Sequence, residues 1–479
     1  MNLASLVAHQ ARYQSSKIAL EGRDFTMTYG DFDVLARRIA ARIRDRGVGL
    51  GDVVGVHLRD TPGHMATMIA LMHLGAVMLP VDWRSTAPEL ARMIARFQPR
   101  LVVTDKAKLL PSDCPTTGLD EIEDQGADRE PPVSLVDQPM AYNLTSGTTG
   151  EPKAIVLTHE EQFGRSTLLH LEGIVRPDDR FAPVLPMAYA AGRLLPTALL
   201  CLGATVVMFP TLFDPAELVD FVNHRRLSAV MISPNICRQM ISFAPADGHL
   251  MPGLRVLVSG GSKLEPEERA ALRARVSPNF VDYYGASGGG PIAIVAREED
   301  GVSATAVGRP MIGVEVEIVD DNDKPLSVGA LGVVRTRGPG VVHAIVGAHP
   351  AGDEGLRNGW YYPGDFGSID ERGLLHLHGR SVDLIKRGGA MVFAQEVEQA
   401  LRRHEAIADA AVIGVPSPNL GEEVVAFVEQ RAPVDVRDLV RHCRRELAPF
   451  KVPSRIEIVE ALPRATSGKV IKAQLRPAG

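Results

Sequence analysis

The sequence predicts an α/β protein: a large N-terminal part with largely parallel sheets, then a smaller compact part beginning near residue 380. Three observations lead there. Short apolar runs alternate with amphipathic stretches through the first half, short alternating strands dominate from about Gly301 to Gly340, and a new helix–strand segment starts after Gly379. In chain order, Asp31 to Arg46 carries Phe32, Leu35, Ile39 and Ile43 at helical spacing. Val53 to Leu58 reads as a strand, and Thr61 to Leu74 as an apolar helix closed by Gly75. Val77 to Val81 and Leu101 to Thr104 are further strands, and the Asp-, Gly- and Pro-rich segment 111–139 is a surface connection. Leu194 to Phe213 has no charged residue over 20 positions, enough to span a bilayer. Pro196, Gly203 and Pro210 divide it, so it reads as a buried helix, a turn at Gly203 and a buried strand from Thr205 to Phe209. Val314 to Val319 is a strand of the β-rich portion, Gln395 to Arg403 a helix and Ala410 to Ile413 a strand.

Composition excludes several classes. At 45% hydrophobic and 23% charged residues the chain is in the ordinary globular range, not disordered or fibrous. A net charge of -6 gives no footprint for nucleic acid or an anionic membrane surface. Cys114, Cys201, Cys237 and Cys443 form no C-x-x-C pair, so neither a disulfide framework nor a zinc site is expected, and the expected setting is a reducing cytoplasm. Met1-Asn2-Leu3-Ala4 begins no basic-then-apolar leader, so no secretory signal is expected.

The strongest local pattern is Asn143 to Ala154, Asn-Leu-Thr-Ser-Gly-Thr-Thr-Gly-Glu-Pro-Lys-Ala, after the strand-like Met140-Ala141-Tyr142. Gly147 and Gly150 let backbone amides converge on an anion. Thr145, Ser146, Thr148 and Thr149 add hydroxyl donors, and Lys153 adds a mobile positive charge. The spacing is not that of a Walker A loop. A Ser/Thr/Gly loop is by itself usually only solvated, but the ordered string is more specific than its composition.

The string resembles the phosphate loop of the adenylate-forming superfamily, which includes acyl-CoA synthetases, peptide-synthetase adenylation domains and firefly luciferase. The likeness runs along nearly the whole chain, through Thr28-Tyr29-Gly30, Leu74-Gly75-Ala76 to Asp82, Gly308-Arg309-Pro310, Trp360 to Asp365, Gly379 to Asp383 and Thr466-Ser467-Gly468-Lys469. The resemblance implies a large domain of stacked mixed sheets and helices over residues 1–382, and a small mobile α+β domain over 383–479 that rotates about a hinge near Asp383. It also implies ATP, Mg²⁺ and CoA as reactants.

Residue roles follow from the same likeness. Gly260, Gly261 and Ser262 resemble the adenine-side loop; Asp282, Tyr283, Tyr284 and Gly285 resemble the segment completing it, with Tyr284 against the base and Asp282 facing its amine. Asp365 stands where a carboxylate takes the ribose hydroxyls, and Arg380 where ribose or phosphate oxygens are held. Ser287 keeps a hydroxyl for the α-phosphate, but Gly288 replaces the glutamate expected to help hold Mg²⁺, so the metal ligands stay unassigned. Lys469 would stabilise charge as the carboxylate attacks the α-phosphate. Lys386, Gly388 and Gly389 suit a thiol tunnel, with Arg387 beside them.

Tyr189, Gly192 and Arg193 resemble the start of the acid-pocket helix, with Tyr189 at a position often held by His or another aromatic. No Asp is there to hold an ammonium, which argues against an α-amino acid. An aryl or medium-length acyl group is expected; Arg193 opens a dicarboxylate alternative beside a surface ion pair or a CoA contact. The expected activity is an AMP-forming carboxylate–CoA ligase acting on a small carboxylic acid. The alternatives are a freestanding enzyme loading a carrier protein, a luciferase-like oxidation, a non-catalytic nucleotide binder, and a serine hydrolase. The last rests on Gly285-Ala286-Ser287-Gly288-Gly289, which matches G-x-S-x-G; His343, His376 and His378 lie downstream, but nothing in sequence ties one of them to Ser287. No fused carrier domain is expected, since ten residues follow Lys469. No nucleic-acid partner or integral membrane segment is expected, and a homodimer is left open.

Overall fold

A computed structural model describes residues 2–123, 138–146, 152–295, 303, 305–346, 355–380, 383–388, 390–464 and 470–475. The chain divides into two compact units. The first comprises residues 1–316, 336–352 and 356–361; the second comprises 317–335, 353–355 and 362–479.

The first unit holds two sheets. One runs in the order Ala344–Val346, Pro152–Thr158, Pro139–Ser146, Val77–Pro80, Val53–His57, Leu101–Thr104 and Thr116–Thr117. Its centre is parallel, as the alternation of strands and helices requires, and only the strands at 152–158 and 344–346 run antiparallel to their neighbours. The other places Ala306–Pro310, Gly290–Val295, Phe280–Ala286, Val256–Gly260, Ala229–Ile232, Arg180–Ala182, Thr205–Val207, Ile18–Glu21 and Thr26–Thr28 side by side. Two helices of largely apolar sequence lie buried within this unit. Pro62–Leu74 starts from Thr61, whose hydroxyl accepts from the His64 amide, and stops at Gly75 with φ 66°, the left-handed conformation glycine adopts without strain. Ala190–Leu202 ends on Gly203 at φ 87° and is followed by the strand Thr205–Val207, shorter than the expected run to Phe209. This is the expected buried helix, turn and strand. Among the described residues no helix is long and apolar enough to cross a membrane.

In the second unit, Gly332–Arg337 pairs through its first residues with Asp365–Ile369, which pairs with Leu375–Arg380. A further sheet runs Ala390–Phe393, Leu384–Arg387, Gly421–Gln430 and Ile407–Ser417, with Arg455–Val459 parallel to Gly421–Gln430. The helices Ala394–Arg402 and Val436–Glu446 cover it over a core containing Val397, Leu401, Val412, Val424, Leu439 and Cys443.

Candidate active site

The phosphate-loop string lies on a β-hairpin. Pro139–Ser146 and Pro152–Thr158 pair antiparallel, with Asn143 opposite Ile155 and Thr145 opposite Lys153. Gly147, Thr148, Thr149 and Gly150 lie outside the described residues, and Thr145, Ser146 and Lys153 are described in their backbone alone.

The pocket loop Leu185 to Tyr189 is fastened from several sides. Gly192 lies directly beneath it: a Cβ there would sit 2.7 Å from Leu185 O, so only glycine lets the helix turn and the loop touch. The Met187 amide donates to Asp60 Oδ1 at 3.2 Å, and Tyr189 donates its hydroxyl to Asp82 Oδ2 at 3.0 Å. Arg193 is 6% exposed. Its Nη1 donates to the carbonyls of Met187 at 2.6 Å and Ala188 at 2.8 Å, and its Nη2 to Asn143 Oδ1 at 2.6 Å. A surface ion pair is therefore not its arrangement; the guanidinium is turned inward onto neutral acceptors.

The turn at Ser287 and Gly288 is held by an arginine that the sequence did not single out. Arg165, 3% exposed on the helix His159–Leu171, donates from Nε to Gly340 O at 2.8 Å, and from Nη2 to Ser287 O at 3.0 Å and Gly288 O at 3.2 Å. Burial pushes its guanidinium down to about 10, against the opposing pull of Glu161. Glu161, one turn earlier, receives the backbone amide and Nδ1–H of His343 on Oε1, each at 2.8 Å, and the Thr158 amide on Oε2 at 2.7 Å. In sequence, Glu161 and Arg165 at i, i+4 look like an ordinary solvated helix pair. Only the partners brought by residues 287–288 and 340–343 distinguish them.

Gly288 has a steric reason. A Cβ there would overlap the fully buried ring of Tyr361, at 2.6 Å from Cζ. Any side chain here would have to displace that ring, so position 288 contributes no metal ligand; among the described residues no group of three or more His, Cys, Asp or Glu is placed to hold a metal, and a magnesium held mainly by nucleotide phosphates and water needs no such group. Gly288→Glu is accordingly expected to lower thermal stability, by about 1–3 kcal/mol for overpacking, without tightening MgATP binding. A variant that binds MgATP more tightly at unchanged stability would refute this.

The same turn decides against a nucleophile elbow. An elbow needs strand, tight turn, then helix. Here Phe280–Ala286 turns straight back into the antiparallel strand Gly290–Val295, and the nearby His343 has its Nδ1 committed to Glu161.

On the adenine-side candidates, Gly260 ends the strand Val256–Gly260 beside Tyr283, Gly261 has φ 91°, and Ser262 is exposed. Asp282 and Tyr283 lie opposite Ser259 and Gly260 in parallel register, and Tyr284 and Gly285 continue the strand half-buried. Burial pushes the Asp282 carboxyl up to about 7, although Arg269 and Arg273 pull it down; Arg269 Nη1 is 3.8 Å away. The sign is definite. Below the ordinary value of 3.8 neither folded nor unfolded chain carries this charge, while above about 7 the folded chain must bury it, so its penalty grows as pH rises between the two. Asp282→Asn should therefore melt like the wild type in acid and above it past pH 7, by roughly 1–2 °C for each kcal/mol relieved in a unit of this size. Parallel melting curves across that range would remove Asp282 as the cause.

In the second unit Asp365 and Arg380 face each other across paired strands, with Arg380 Nε 3.1 Å from Asp365 Oδ1. Lys472 Nζ lies 3.2 Å from Asp383 Oδ1 and 2.8 Å from Glu398 Oε1, a partnership the sequence reading missed. Lys386 is exposed and gives its amide to Glu422 Oε2 at 2.7 Å. Arg387 donates to the carbonyls of Phe450 and Val452, and Gly388 turns at φ 58° with its amide on Leu420 O. Gly389 and Lys469 lie outside the described residues.

The phosphate-loop hairpin, the strand at 280–286 and the pocket loop all fall within one sequence pattern, that of the AMP-binding enzyme, which matches residues 7–345; the AMP-binding enzyme C-terminal domain matches residues 396–469. The chain belongs to the AMP-binding enzyme family. It is an adenylate-forming carboxylate ligase, with the mixed α/β fold of that family. A feruloyl-CoA synthase of Amycolatopsis sp is 28% identical, over 99% of this chain and 98% of its own. The fatty acid–[acyl-carrier-protein] ligase ScoC of Streptomyces coeruleorubidus is 29% identical, over 96% of this AMP-binding enzyme and 92% of its own length. The solved structure of ATP-bound MatB from Rhodopseudomonas palustris superposes with a TM-score of 0.87 at 26% identity, covering 99% of this chain and 98% of that one.

Proposed function

We propose that this AMP-binding enzyme is an AMP-forming acid–CoA ligase. A carboxylate attacks the α-phosphate of MgATP, releasing pyrophosphate and leaving an acyl-adenylate; the CoA thiol then attacks the acyl carbon, loses its proton and expels AMP. Splitting the reaction turns a poor electrophile into one with a good leaving group. The observation that carries the reading is the ordered Thr145 to Lys153 string on a hairpin between two long paired strands, inside a family pattern that spans it.

Thr145 to Gly150 and Lys153 hold the phosphates, and magnesium arrives on the nucleotide. Ser287 meets the α-phosphate on the turn that Arg165 holds. Gly260 to Ser262 and Asp282 to Gly285 take the adenine, and Asp365, oriented by Arg380, takes the ribose. Tyr189 and Gly192 shape the acid pocket. Lys469 acts in the first step and Lys386, Gly388 and Gly389 line the thiol's path in the second, after residues 383–479 rotate about Asp383 against residues 1–382.

A carrier-protein thiol is the second reading, favoured by the likeness to ScoC. Mass spectrometry after incubation with MgATP, CoA and a panel of short, branched, long-chain, aryl and dicarboxylic acids separates the two. A new acyl-CoA supports the first, acyl-adenylate without thioester supports the second, and bound ATP with neither product refutes both.

A further inference from the structure

We propose that Arg193 is a positioning residue that couples the acid-pocket loop to the phosphate-loop hairpin, so that nucleotide bound at one is felt at the other. What the two loops bind rests on the function proposed above; the link between them rests on geometry. The guanidinium bridges two separate elements. Nη1 holds the Met187 and Ala188 carbonyls of the pocket loop, and Nη2 holds Asn143 Oδ1 in the strand Pro139–Ser146, two residues before Thr145. Asn143 is itself 2% exposed, and among the described residues its Nδ2 has no hydrogen-bond partner, so the bond from Arg193 to Oδ1 orients the amide.

A charge buried among neutral acceptors is costly, and plain packing would be better served by an apolar side chain. Burial pushes Arg193 down to about 9, with Asp60 as the opposing charge. What an apolar residue or a lysine cannot do is reach two backbone carbonyls and a side-chain amide at once through a rigid planar fork. Asp60, which accepts from the Met187 amide, and Gly192, which lets the loop rest on the helix turn, leave the pocket loop little freedom except to move with Arg193. Motion at Met187 and Ala188 is thereby carried to Asn143 and the hairpin.

Hydrogen exchange on the full chain, with MgATP alone as the probe, tests this. In the wild type MgATP should slow exchange in the hairpin at 139–158 and also in the pocket loop at 185–192, the latter by about fivefold or more, the low end of ordinary site-to-site coupling. Arg193→Met should keep the hairpin protection and lose that of the pocket loop, and Arg193→Lys should not restore it. If Arg193→Met does not fold, Asn143→Ala must show the same loss. Wild-type protection in the hairpin without any in the pocket loop, or a coupled response that survives both variants, overturns the inference. A wild-type hairpin that MgATP does not protect overturns the functional reading instead. In that case non-additive stability losses in Arg193→Met, Asn143→Ala and the double variant still decide the link, and additive losses reject it.

Discussion

Lys469→Ala should lower the rate of adenylate formation by about 10²–10³-fold, the usual cost of removing one preorganised group from a developing oxyanion, while thioester formation from preformed acyl-adenylate stays within a few-fold of wild type. The reason is electrostatic. Carboxylate attack on an α-phosphate brings two anions together, and negative charge builds on the bridging and non-bridging oxygens; a cation there stabilises the transition state more than the ground state. In the second step the thiol attacks the acyl carbon and AMP leaves as an anion already stabilised by resonance over its phosphate oxygens; on the proposed rotation of residues 383–479 the lysine serves only the first step. The described residues flanking the lysine are anchored within the second unit. Arg464 bridges to Val470 and pairs with Asp409 at 2.7 Å and Glu429 at 3.2 Å, while Lys472 pairs with Asp383 and Glu398. The measurement is pyrophosphate release for the first step and acyl-CoA from synthetic adenylate for the second. Equal losses in both would refute a lysine that serves one step only.

How far the sequence reached depends on the range of the interaction. Periodicity and capping residues are local, so the helix after Thr61, its stop at Gly75 and the break at Gly203 were legible, with ends shifted by a residue or two. Family membership was legible in the Thr145 to Lys153 string because order along the chain is itself the signal. Gly288 was legible as a departure, but its reason, the Tyr361 ring, lies more than seventy positions away along the chain. Arg193 stands out in sequence among apolar residues, which suggests a charged partner: a substrate carboxylate, a surface ion pair or CoA. Its inward turn depends on Asn143, fifty positions earlier. Arg165 and Lys472 gave no signal at all, because a basic residue at helical spacing or in a polar tail is most often solvated, and only tertiary partners make these two otherwise.

Arg165→Met is expected to destabilise the chain by about 3 kcal/mol, and the direction follows from comparing two opposing terms. Removing a buried guanidinium relieves a desolvation penalty of several kcal/mol, about what well-packed apolar replacements of buried charges recover. Against that, the carbonyls of Gly340 and Gly288 lose charge-assisted bonds in buried surroundings and that of the half-buried Ser287 loses one near the surface, at about 1–3 kcal/mol for each buried acceptor orphaned. Glu161 also loses its compensating positive neighbour one turn away while still receiving three N–H groups. The second set outweighs the first because the acceptors are main-chain groups that cannot be removed along with the arginine. Arg165→Lys should recover only part of the loss, since one ammonium cannot span three carbonyls on two loops. The functional consequence falls on Ser287, whose carbonyl is one of the three: with the turn released, the KM for MgATP should rise about tenfold while the KM for the acid changes less. Thermal unfolding and initial-rate kinetics read the two effects separately. A methionine variant more stable than the wild type would mean that relief of desolvation dominates and that Arg165 does not clamp this turn.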